Sequence, residues 1–283
     1  MSYEQLPTAD DSTRPKEVHD DVTAYINAGG RGTRLGSILV PHPDFGVIKA
    51  LLEVGNPTVV LLDHHIQKMA QAAMRNVVIS AGDVGMVEEY VLESYNQNPG
   101  IDVTTSSYRR GNGGDLLGDV HAHPELFADR ILVTNVDTIL DLDESDFLSF
   151  HERTGTPISV ALTTRKNVPN EDAFYVDRQG KVIFSRESHM PASSEKNASR
   201  ASAWKGSSTG AVIVETNFIK DFVDSHDMGE VSLYKDIMGE AIHNGAVAGY
   251  NNGRKFFMDL GTVSTWLAAQ DSHVVNPYLK RQF

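Results

Sequence analysis

The chain contains no cysteine among its 283 residues. Disulfide bonds and thiolate metal sites are therefore excluded, and a metal ion would have to be held by histidine and carboxylate side chains. Basic side chains are also in the minority: 25 Lys and Arg stand against 38 Asp and Glu, which gives a formal net charge of −13. A broad surface for nucleic acid or anionic membranes needs clustered positive charge, so neither is expected as a partner.

Long apolar runs are absent as well, because no stretch of 18 apolar residues occurs in the chain. A membrane-spanning helix is therefore not expected. Residues 1–21 are rich in Asp, Glu, Thr and Pro and lack the apolar segment of a secretory signal. We expect a flexible N-terminal arm and a cytoplasmic protein. Residues 22–283 are enough for one large domain with a substantial core.

Short apolar runs alternate along the chain with longer segments of helical periodicity. The apolar runs are residues 25–28, 77–80, 131–135, 158–163, 211–215 and 246–250, and the clearest helical segments are 59–75 and 233–242. Short runs separated by helices indicate an α/β fold, in which a mostly parallel sheet is flanked by helices on both faces. Ligands of such sheets bind beyond the carboxyl ends of the strands.

Three other segments give local predictions. Residues 173–184 alternate in polarity around Arg178-Gln179-Gly180, which predicts a β-hairpin in a small subsidiary sheet. Residues 190–204 are rich in Ser and Ala without periodicity, which predicts a mobile loop. The pair His64-His65 is expected to be exposed at a helix start without a metal role, because a metal site needs further ligands.

A glycine-rich turn follows the first apolar run. Gly29, Gly30 and Gly32 let backbone N–H groups approach an anion, and Arg34 adds a fork of donors suited to phosphate oxygens. The segment lacks the last glycine of the dinucleotide-binding fingerprint, and no Gly-Lys-Ser/Thr follows as in a P-loop. A plain turn between strand and helix would explain the glycines equally well, so the rest of the chain must decide.

Four segments in order along the chain resemble the sugar-1-phosphate nucleotidyltransferases. They are Gly29-Gly30-Arg31-Gly32-Thr33-Arg34-Leu35, Lys49-Ala50-Leu51-Leu52-Glu53-Val54-Gly55, Asn135-Val136-Asp137 and Asp259-Leu260-Gly261-Thr262. The family signatures are Gly-Gly-x-Gly-Thr-Arg-Leu, Pro-Lys-Pro-Leu-Leu-Pro-Val-Gly, Asn/Gly-x-Asp after a strand, and Asp-Ile-Gly-Thr. The resemblance implies a Rossmann-like (GT-A-like) sheet, with a nucleotide half at about 22–145 and an acceptor half at about 146–283. It also implies an NTP and a sugar-like phosphate as substrates.

The resemblance assigns catalysis to Arg34 and Lys49. Arg34 would hold the β- and γ-phosphates, and Lys49 would place its charge beside the α-phosphate, where negative charge builds up during transfer. An ordinary solvated lysine is the alternative for Lys49, but its neighbours are apolar, and an unpaired ammonium is costly to bury there. The nucleotide-binding residues implied are Ala28, Gly29, Gly30, Gly32, Thr33, Arg34, Gly111, Asn112 and Gly113.

Asp137 and Asp259 each follow an apolar run, and by the resemblance they form the pair that binds Mg²⁺. Taken alone, each would also fit a helix cap or a turn. Asp141 and Asp143 are close in sequence, but we expect them in the following turn and helix start.

The acceptor side departs from the family pattern. Glu187-Ser188 stands where relatives have Glu-Lys, and Ser208-Thr209-Gly210 stands where they have Asn-Ala-Gly. A lysine for the acceptor phosphate is therefore missing, and Arg186 or Lys205 is the expected replacement. The acceptor-binding residues predicted are Glu187, Arg186, Lys205, Ser208, Thr209 and Gly210. These changes favour an acceptor other than the common hexose 1-phosphates, such as a heptose or cyclitol phosphate.

Several points stay open at this level. The family's usual Gln before Gly111 is absent, which disfavours a pyrimidine nucleotide and slightly favours GTP. The altered acceptor side would also suit a non-catalytic subunit that binds a nucleotide sugar. A GT-A glycosyltransferase is a third alternative, because Asp141-Leu142-Asp143 matches the Asp-x-Asp metal motif of such enzymes. A homo-oligomer is compatible with the sequence.

Overall fold

The computed structural model describes residues 18–30, 32, 34–35, 48–82, 85–95, 101–106, 111–165, 173–188, 190–226 and 229–279, except the side chains of Ala192 and Ser272. The strands in these ranges are β1 (Val22–Asn27), β2 (Glu53–Val54), β3 (Val59–Val60), β4 (Asn76–Ser80), β5 (Asp102–Ser106), β6 (Arg130–Asn135), β7 (Thr138–Leu140), β8 (Ile158–Thr163), β9 (Ala173–Val176), β10 (Val182–Ser185), β11 (Trp204–Glu215), β12 (Val247–Asn251) and β13 (Phe257–Asp259).

The helices in the same ranges are α1 (Leu61–Gln71), α2 (Gly85–Tyr95), α3 (Gly111–Ala122), α4 (Glu144–Thr154), α5 (Ala192–Ala201), α6 (Thr216–Ser225), α7 (Met238–His243), α8 (Val263–Ala269) and α9 (Ser272–Val275). Two short 3₁₀ turns cover Lys49–Leu51 and Pro124–Leu126, and a π-helical turn at Leu233–Ile237 leads into α7. None of the helices in the described part of the chain is long and apolar enough to cross a membrane.

A sheet of nine strands forms the centre of the molecule, with the main order β10-β9-β11-β6-β1-β4-β5. The strands β6, β1, β4 and β5 are mutually parallel, so their carboxyl ends lie at one edge of the sheet. Strand β11 is antiparallel to β6 and β8, and β8 pairs in parallel with β12. The predicted α/β fold with a mostly parallel centre is confirmed, and the parallel edge is where a ligand is expected.

Successive residues of β1 pack on opposite faces of this sheet, as the two-residue period of a strand requires. Ala24 and Ile26 belong to one hydrophobic cluster, which includes Leu62 of α1. Tyr25 belongs to a second cluster, which includes Leu116 of α3. Because both faces of the central strand are buried, its apolar residues run without alternation, and helices cover the sheet on both sides.

Strand β11 joins the two halves of the sheet. Residues 204–207 pair with β9, and residues 211–215 pair with β6. Between these two stretches the register of β11 against β8 shifts. Gly210 has a φ of +82°, a backbone conformation that residues with a side chain rarely adopt. A Cβ on Gly210 would also lie 3.0 Å from Asn135 Nδ2. The irregularity therefore brings Gly210 directly against Asn135 at the end of β6.

Three local predictions differ from the structure. The hairpin at residues 173–184 forms, but it extends the large sheet through β9 and β11 instead of a subsidiary sheet, because β11 is long enough to pair with both β9 and β6. The predicted loop at 190–204 contains α5, whose Glu195 is bound by Tyr175 and Arg186. His64 and His65 are buried in α1 instead of exposed, because the apolar face of α1 packs against the sheet.

Within the described residues, the small antiparallel sheets are separate from the large central sheet and each has two strands. Strand β7 pairs with β13, so that Thr138 lies opposite Asp259, and β2 pairs with β3. The predicted N-terminal arm lies mostly outside the described residues. At its end, the His19 N–H donates to Ala73 O (3.1 Å) and Asp21 forms an ion pair with Arg130. These last residues of the arm are therefore held against the sheet.

Candidate active site

A cleft of about 310 Å³ opens at the carboxyl ends of β6, β1 and β4 and reaches the amino end of α3. Its walls are formed by Asn27, Gly29, Gly30, Lys49, Ser80, Gly82, Gly111, Asn112, Asp115, Asn135, Val136 and Asp137. Each parallel strand in this part of the sheet ends at the cleft. This is the position that the topology predicts for a ligand.

The glycine turn after β1 allows close approach on two sides. A Cβ on Gly29 would lie 3.0 Å from the backbone nitrogen of Gly82, so a side chain here would push the turns after β1 and β4 apart. At Gly30 the neighbour is the Lys49 side chain, whose Nζ would be 3.9 Å from an added Cβ. The turn therefore places backbone groups and the Lys49 ammonium along one wall of the cleft.

Lys49 and Asp137 meet in the cleft. The Lys49 Nζ lies 2.5 Å from Asp137 Oδ2, and the two side chains are only 12% and 18% exposed. Lys49 stands on a short 3₁₀ turn, whereas Asp137 follows β6, so the sheet and the connection after the glycine turn bring them together. The prediction that Lys49 is more than a solvated lysine agrees with this partly buried ion pair.

Asp259 is held next to Asp137 by the two-stranded sheet of β7 and β13. The Leu260 N–H donates to Asp137 O (2.8 Å), and the Gly261 N–H donates to Asp259 Oδ1 (2.5 Å). Desolvation raises the pKa of the Asp259 carboxyl, the negative charge of Asp137 raises it further, and Lys49 and Arg34 oppose these effects. Like charges held this close are a feature of sites that bind a cation.

Arg34 reaches the same place from the glycine turn. A Cβ on Gly261 would lie 2.7 Å from Asp259 Oδ1 and 2.9 Å from Arg34 Nη2, so the carboxylate and the guanidinium flank this glycine. The four residues predicted to carry catalysis and metal binding, Arg34, Lys49, Asp137 and Asp259, therefore converge. The convergence connects both ends of the chain, since Arg34 and Asp259 are far apart in sequence.

Helix α1 supports the strand that follows Asp137. The His65 Nε2 is 3.0 Å from Thr138 O, and the Lys68 Nζ donates to Leu140 O (2.7 Å) and pairs with Glu144 Oε1 (2.6 Å). Burial and the nearby Lys68 charge lower the pKa of His65 to about 4, so its ring is neutral and Nε2 donates. These contacts fix the backbone of β7, which pairs with the strand carrying Asp259.

The carboxylates fit a hard cation. No group of three or more His, Asp or Glu side chains within the described ranges is arranged to hold a metal. Asp137 nevertheless lines the cleft and Asp259 lies next to it, and Mg²⁺ is often bound by one or two carboxylates with substrate phosphates and water as the remaining ligands. The charge repulsion between the two carboxylates is the observation that supports such a ligand.

A larger cavity of about 540 Å³ lies apart from these residues, between the end of α1, the start of α4 and the C-terminal segment. It is lined by Asp141 and Asp143 and contains none of the four converging residues. The Asp143 Oδ1 accepts the Asp146 N–H at 3.0 Å and caps α4, as expected. This capping role disfavours an Asp-x-Asp metal motif at residues 141–143.

Some of the predicted nucleotide-binding residues line the cleft and others do not. Gly29, Gly30, Gly111 and Asn112 line the cleft, whereas Thr33 lies outside the described residues. Arg34 lies beside Asp259, and Ala28, Gly32 and Gly113 are not among the residues that line the cleft. The Ala28 N–H donates to Ser80 O (2.8 Å), the Gly32 carbonyl accepts the Leu35 N–H, and Gly113 is buried against the π-helical turn, with its N–H donating to Val231 O.

The acceptor residues form a second group at the start of β11 and the end of β10. Arg186 is held by Glu195, with Nε and Nη2 at 2.7 and 2.6 Å from Oε1, and Tyr175 donates to the same oxygen. Lys205 is exposed beside this cluster. Glu187 is half-buried. Of the two proposed replacements for the missing lysine, Arg186 therefore already has a carboxylate partner.

The Ser208-Thr209-Gly210 segment lies at the irregularity of β11. The Ser208 hydroxyl donates to Tyr234 OH (3.2 Å) and also accepts the Gly210 N–H. Thr209 is fully buried, and its hydroxyl donates to Ala161 O (2.9 Å). Thr209 thus connects β11 to β8, while Ser208 and Gly210 face the border between the two halves.

Sequence reasoning missed Asn27, Ser80, Gly82, Asp115, Asn135 and Val136 as residues of the cleft. Most of them are the last residues of parallel strands or directly follow them. The rule that ligands bind at these strand ends would have found them once the strand boundaries were known. Asp115 is different, because it lies one helical turn after Gly111 and follows from the helix start.

The fold is an α/β fold in which Arg34, Lys49, Asp137 and Asp259 converge at the carboxyl ends of parallel strands. A model of the family "Nucleotidyl transferase" matches residues 23–274, and the chain therefore belongs to the nucleotidyl transferase family. The matched range includes Arg34, Lys49, Asp137 and Asp259. It also confirms the family that the sequence motifs indicated.

Two relatives are similar in sequence over part of their length. A mannose-1-phosphate guanyltransferase of Yarrowia lipolytica is 26% identical over 174 residues, which is 59% of this chain and 44% of that protein. The bifunctional protein GlmU of Methanococcus maripaludis is 25% identical over 260 residues, 91% of this chain and 56% of that protein. The chain thus spans about half the length of these relatives.

Solved structures share the fold. HddC from Yersinia pseudotuberculosis superposes with a TM-score of 0.65 at 16% identity, covering 88% of this chain and 97% of HddC. A candidate glucose-1-phosphate thymidylyltransferase from Bacillus anthracis, solved with sucrose, gives a TM-score of 0.69 at 18% identity, covering 93% and 97%. HddC has also been solved with GMP-PN.

Proposed function

We propose that this protein is a Mg²⁺-dependent nucleotidyltransferase that joins an NTP to a sugar or sugar-like 1-phosphate, giving an NDP-sugar and pyrophosphate. One observation carries the proposal: the Lys49–Asp137 ion pair lies in the cleft beside the glycine turn, with Asp259 and Arg34 adjacent. Two cations and two carboxylates at a phosphate-sized turn suit the transfer of a phosphoryl-type group between anions.

In the proposed reaction, an oxygen of the acceptor phosphate attacks the α-phosphorus of the NTP. A new oxygen–phosphorus bond forms, the bond from the α-phosphorus to the α,β-bridging oxygen breaks, and its electron pair leaves with pyrophosphate. Lys49 would neutralise charge on the α-phosphate, and Arg34 would hold the departing phosphates. The Gly29-Gly30 backbone would line the triphosphate without side chains in the way. No covalent intermediate with the protein is needed.

Asp137 and Asp259 are the residues that would hold Mg²⁺. The bound ion would neutralise phosphate charge and orient the reacting groups. The chain's own part is to hold the two carboxylates close together, although desolvation and the negative charge of Asp137 raise the pKa of Asp259. Lys49 and Arg34 offset this effect by their positive charge.

The substrates proposed are GTP and a sugar-like phosphate other than a common hexose 1-phosphate. A relative is described as a mannose-1-phosphate guanyltransferase, and HddC was solved with GMP-PN, which supports a guanine nucleotide. On the acceptor side, Ser188 is buried and donates to Ser185 O, and Arg186 is bound to Glu195. A heptose or cyclitol phosphate is proposed because the residues that relatives use for a hexose phosphate are changed.

Pyrophosphate release tests this function. The protein is incubated with Mg²⁺, each NTP in turn and a panel of hexose, heptose and cyclitol phosphates. We expect release with one nucleotide and one acceptor class, and poor turnover of glucose 1-phosphate. Asp259→Asn should lower activity and raise the Mg²⁺ concentration needed for half-maximal rate, whereas the exposed-site variant Asp221→Asn should not. Full activity in excess chelator would exclude the metal role.

A further inference from the structure

The two ends of the cleft have different chemistry. Lys49 and Asp137 stand at the end formed by β1 and β6, where the proposed function places the phosphates. The other end lies beyond β4, where Gly82, Gly111 and Asp115 form the wall. Because neighbouring strands are about 4.8 Å apart, the cleft crosses roughly 10 Å from β6 to β4. With the phosphates at the β6 end, a nucleoside that extends across the sheet would have its base beside the start of α3, where Asp115 lies.

Asp115 faces the cleft because of its place on α3. It lies four residues after Gly111, and residues at this spacing share one face of a helix. Both residues line the cleft, and Asp115 is half-exposed. The side chain is therefore accessible to a ligand, on a helix whose position is fixed by other contacts.

The start of α3 is anchored by the fold. The Gly113 and Gly114 N–H groups both donate to Val231 O at 3.0 Å, and Asn112 Oδ1 accepts the Leu233 N–H at 3.1 Å. An added Cβ on Gly113 would lie 2.6 Å from the Leu233 nitrogen, so the helix packs tightly on this turn. These polar groups of α3 form hydrogen bonds that hold the helix against residues 231–233. Among the described residues that line the cleft beyond β4, the charged side chain is Asp115.

A carboxylate at this end discriminates between bases. Ionised Asp only accepts hydrogen bonds, through two oxygens side by side. Guanine presents two adjacent donors, N1–H and the 2-amino group. Adenine and cytosine offer an amino group next to an acceptor nitrogen, and uracil offers one N–H between two carbonyl oxygens. Only guanine matches the carboxylate with both oxygens used, as in other bidentate carboxylate pairs.

We propose that Asp115 is the specificity-determining residue for the donor nucleotide and that it binds the N1–H and 2-amino groups of guanine. This inference rests on the proposed function, because it takes the Lys49 end of the cleft as the phosphate site. It assigns to one side chain of α3 a nucleotide preference that the sequence motifs indicated only through the absence of a Gln before Gly111.

The test compares GTP with ITP, which lacks the 2-amino group, and with XTP, which has a carbonyl oxygen there. Nucleotide Kd is measured without acceptor, and kcat/KM with acceptor, for wild type, Asp115→Asn and Asp115→Ala. Asp221→Asn, a change at an exposed aspartate of α6, is the matched control. ATP and UTP complete the set of nucleotides.

Wild type and the control should prefer GTP over ITP by at least about tenfold, since a charged hydrogen bond is lost with ITP. Asp115→Ala should remove that preference. Asp115→Asn should improve XTP relative to GTP by about tenfold or more, because an amide donates to the 2-oxo group and a carboxylate repels it. Rescue of XTP is a readout that general damage to the cleft would not produce.

An unchanged GTP-to-ITP ratio in both variants would overturn the assignment of Asp115. Efficient turnover of UTP or ATP by wild type would also overturn it, while leaving the nucleotidyltransferase function intact. Guanine-specific binding that depends on Asp115, without pyrophosphate release for any acceptor, would overturn the proposed function and support Asp115. Absence of binding of every nucleotide would overturn both.

Discussion

The two sides of the active-site region use their charged residues differently. On the proposed nucleotide side, Lys49 and Asp137 pair inside the cleft and lie near Asp259 and Arg34, so the charged groups are gathered at one place. On the acceptor side, Arg186 is bound to Glu195 of α5, and Tyr175 binds the same carboxylate. Lys49, which the proposed reaction needs, thus lies in the cleft, whereas Arg186, on the proposed acceptor side, is bound to a carboxylate of α5.

The difference extends to the support behind each side. Behind Asp137, buried groups of α1 fix β7 through two backbone carbonyls and the Lys68–Glu144 ion pair. On the acceptor side, Arg186 and Glu195 are 35% and 27% exposed, and Lys205 is exposed. We therefore expect substitutions on the nucleotide side to affect rate or stability strongly, and those on the acceptor side to affect mainly the choice of acceptor.

The largest effect is expected for Lys49→Ala. Removing its charge from the α-phosphate should lower kcat/KM by at least about a hundredfold and up to about a thousandfold, or roughly 3–4 kcal/mol. Lys220→Ala, on the exposed face of α6, is the control. Pyrophosphate release measures both. A Lys49→Ala protein with near-normal rates would remove the distinction between the two sides.

The next effect concerns stability on the nucleotide side. Lys68→Met leaves Glu144 as an unpaired buried carboxylate, which should lower the free energy of unfolding by about 3 kcal/mol. The double change Lys68→Met with Glu144→Leu should recover most of the loss, because no buried charge is left alone. Denaturant titration measures these free energies. A single variant as stable as wild type would show that the pair contributes little.

A third prediction concerns which of two cations, Lys205 or Arg186, binds the phosphate of the acceptor. Because Arg186 is bound to Glu195, we expect Lys205 to bind the acceptor phosphate. Lys205→Ala should raise KM for the acceptor by about tenfold or more with kcat little changed, since a charged contact to the substrate is lost. Arg186→Ala should raise the acceptor KM by a smaller factor. Steady-state kinetics at saturating NTP measures the acceptor KM of both variants. A larger increase in KM for Arg186→Ala than for Lys205→Ala would show that Arg186 leaves Glu195 when the acceptor binds.

A further effect, on stability and not on turnover, is a pH dependence from His65. Its pKa is lowered from 6.5 to about 4 in the folded protein, so the unfolded chain binds the proton first as the pH falls. Stability is therefore lost between about pH 6.5 and pH 4. From pH 7 to pH 5 this group should cost about 2 kcal/mol. His65→Gln keeps an N–H for Thr138 O and should lack this component. Equal pH slopes for both proteins would contradict the assignment.

Much of the nucleotide side could be predicted from sequence because its residues occur in short motifs. Lys49, Asp137 and Asp259 each stand next to an apolar run, and the motifs predicted that these residues belong to one site before their contacts were known. The Lys49–Asp137 pairing itself could not be predicted, because it joins positions 88 residues apart through the order of the sheet. The same applies to the support from α1, where two histidines were expected at the surface.

The acceptor side was harder to predict because its structure depends on distant pairing. The α5 segment contains only Ala as an apolar residue, and the helix is held by Glu195 contacts to Tyr175 and Arg186, which no local pattern reveals. The hairpin of β9 and β10 was found, but its sheet was wrong, because β11 is long enough to pair with both β9 and β6. Thr209 was expected at the acceptor and points into the core.

The most direct test of the central claim follows which phosphorus is transferred. GTP labelled at the α- or the γ-phosphorus is supplied with Mg²⁺ and the best acceptor from the panel, and the products are separated. Attack at the α-phosphorus beside Lys49 predicts α-label in the nucleotide sugar and γ-label only in pyrophosphate. Label from the γ-phosphorus in the sugar product, or release of γ-label as single phosphate with the α-label left in GDP, would contradict the account.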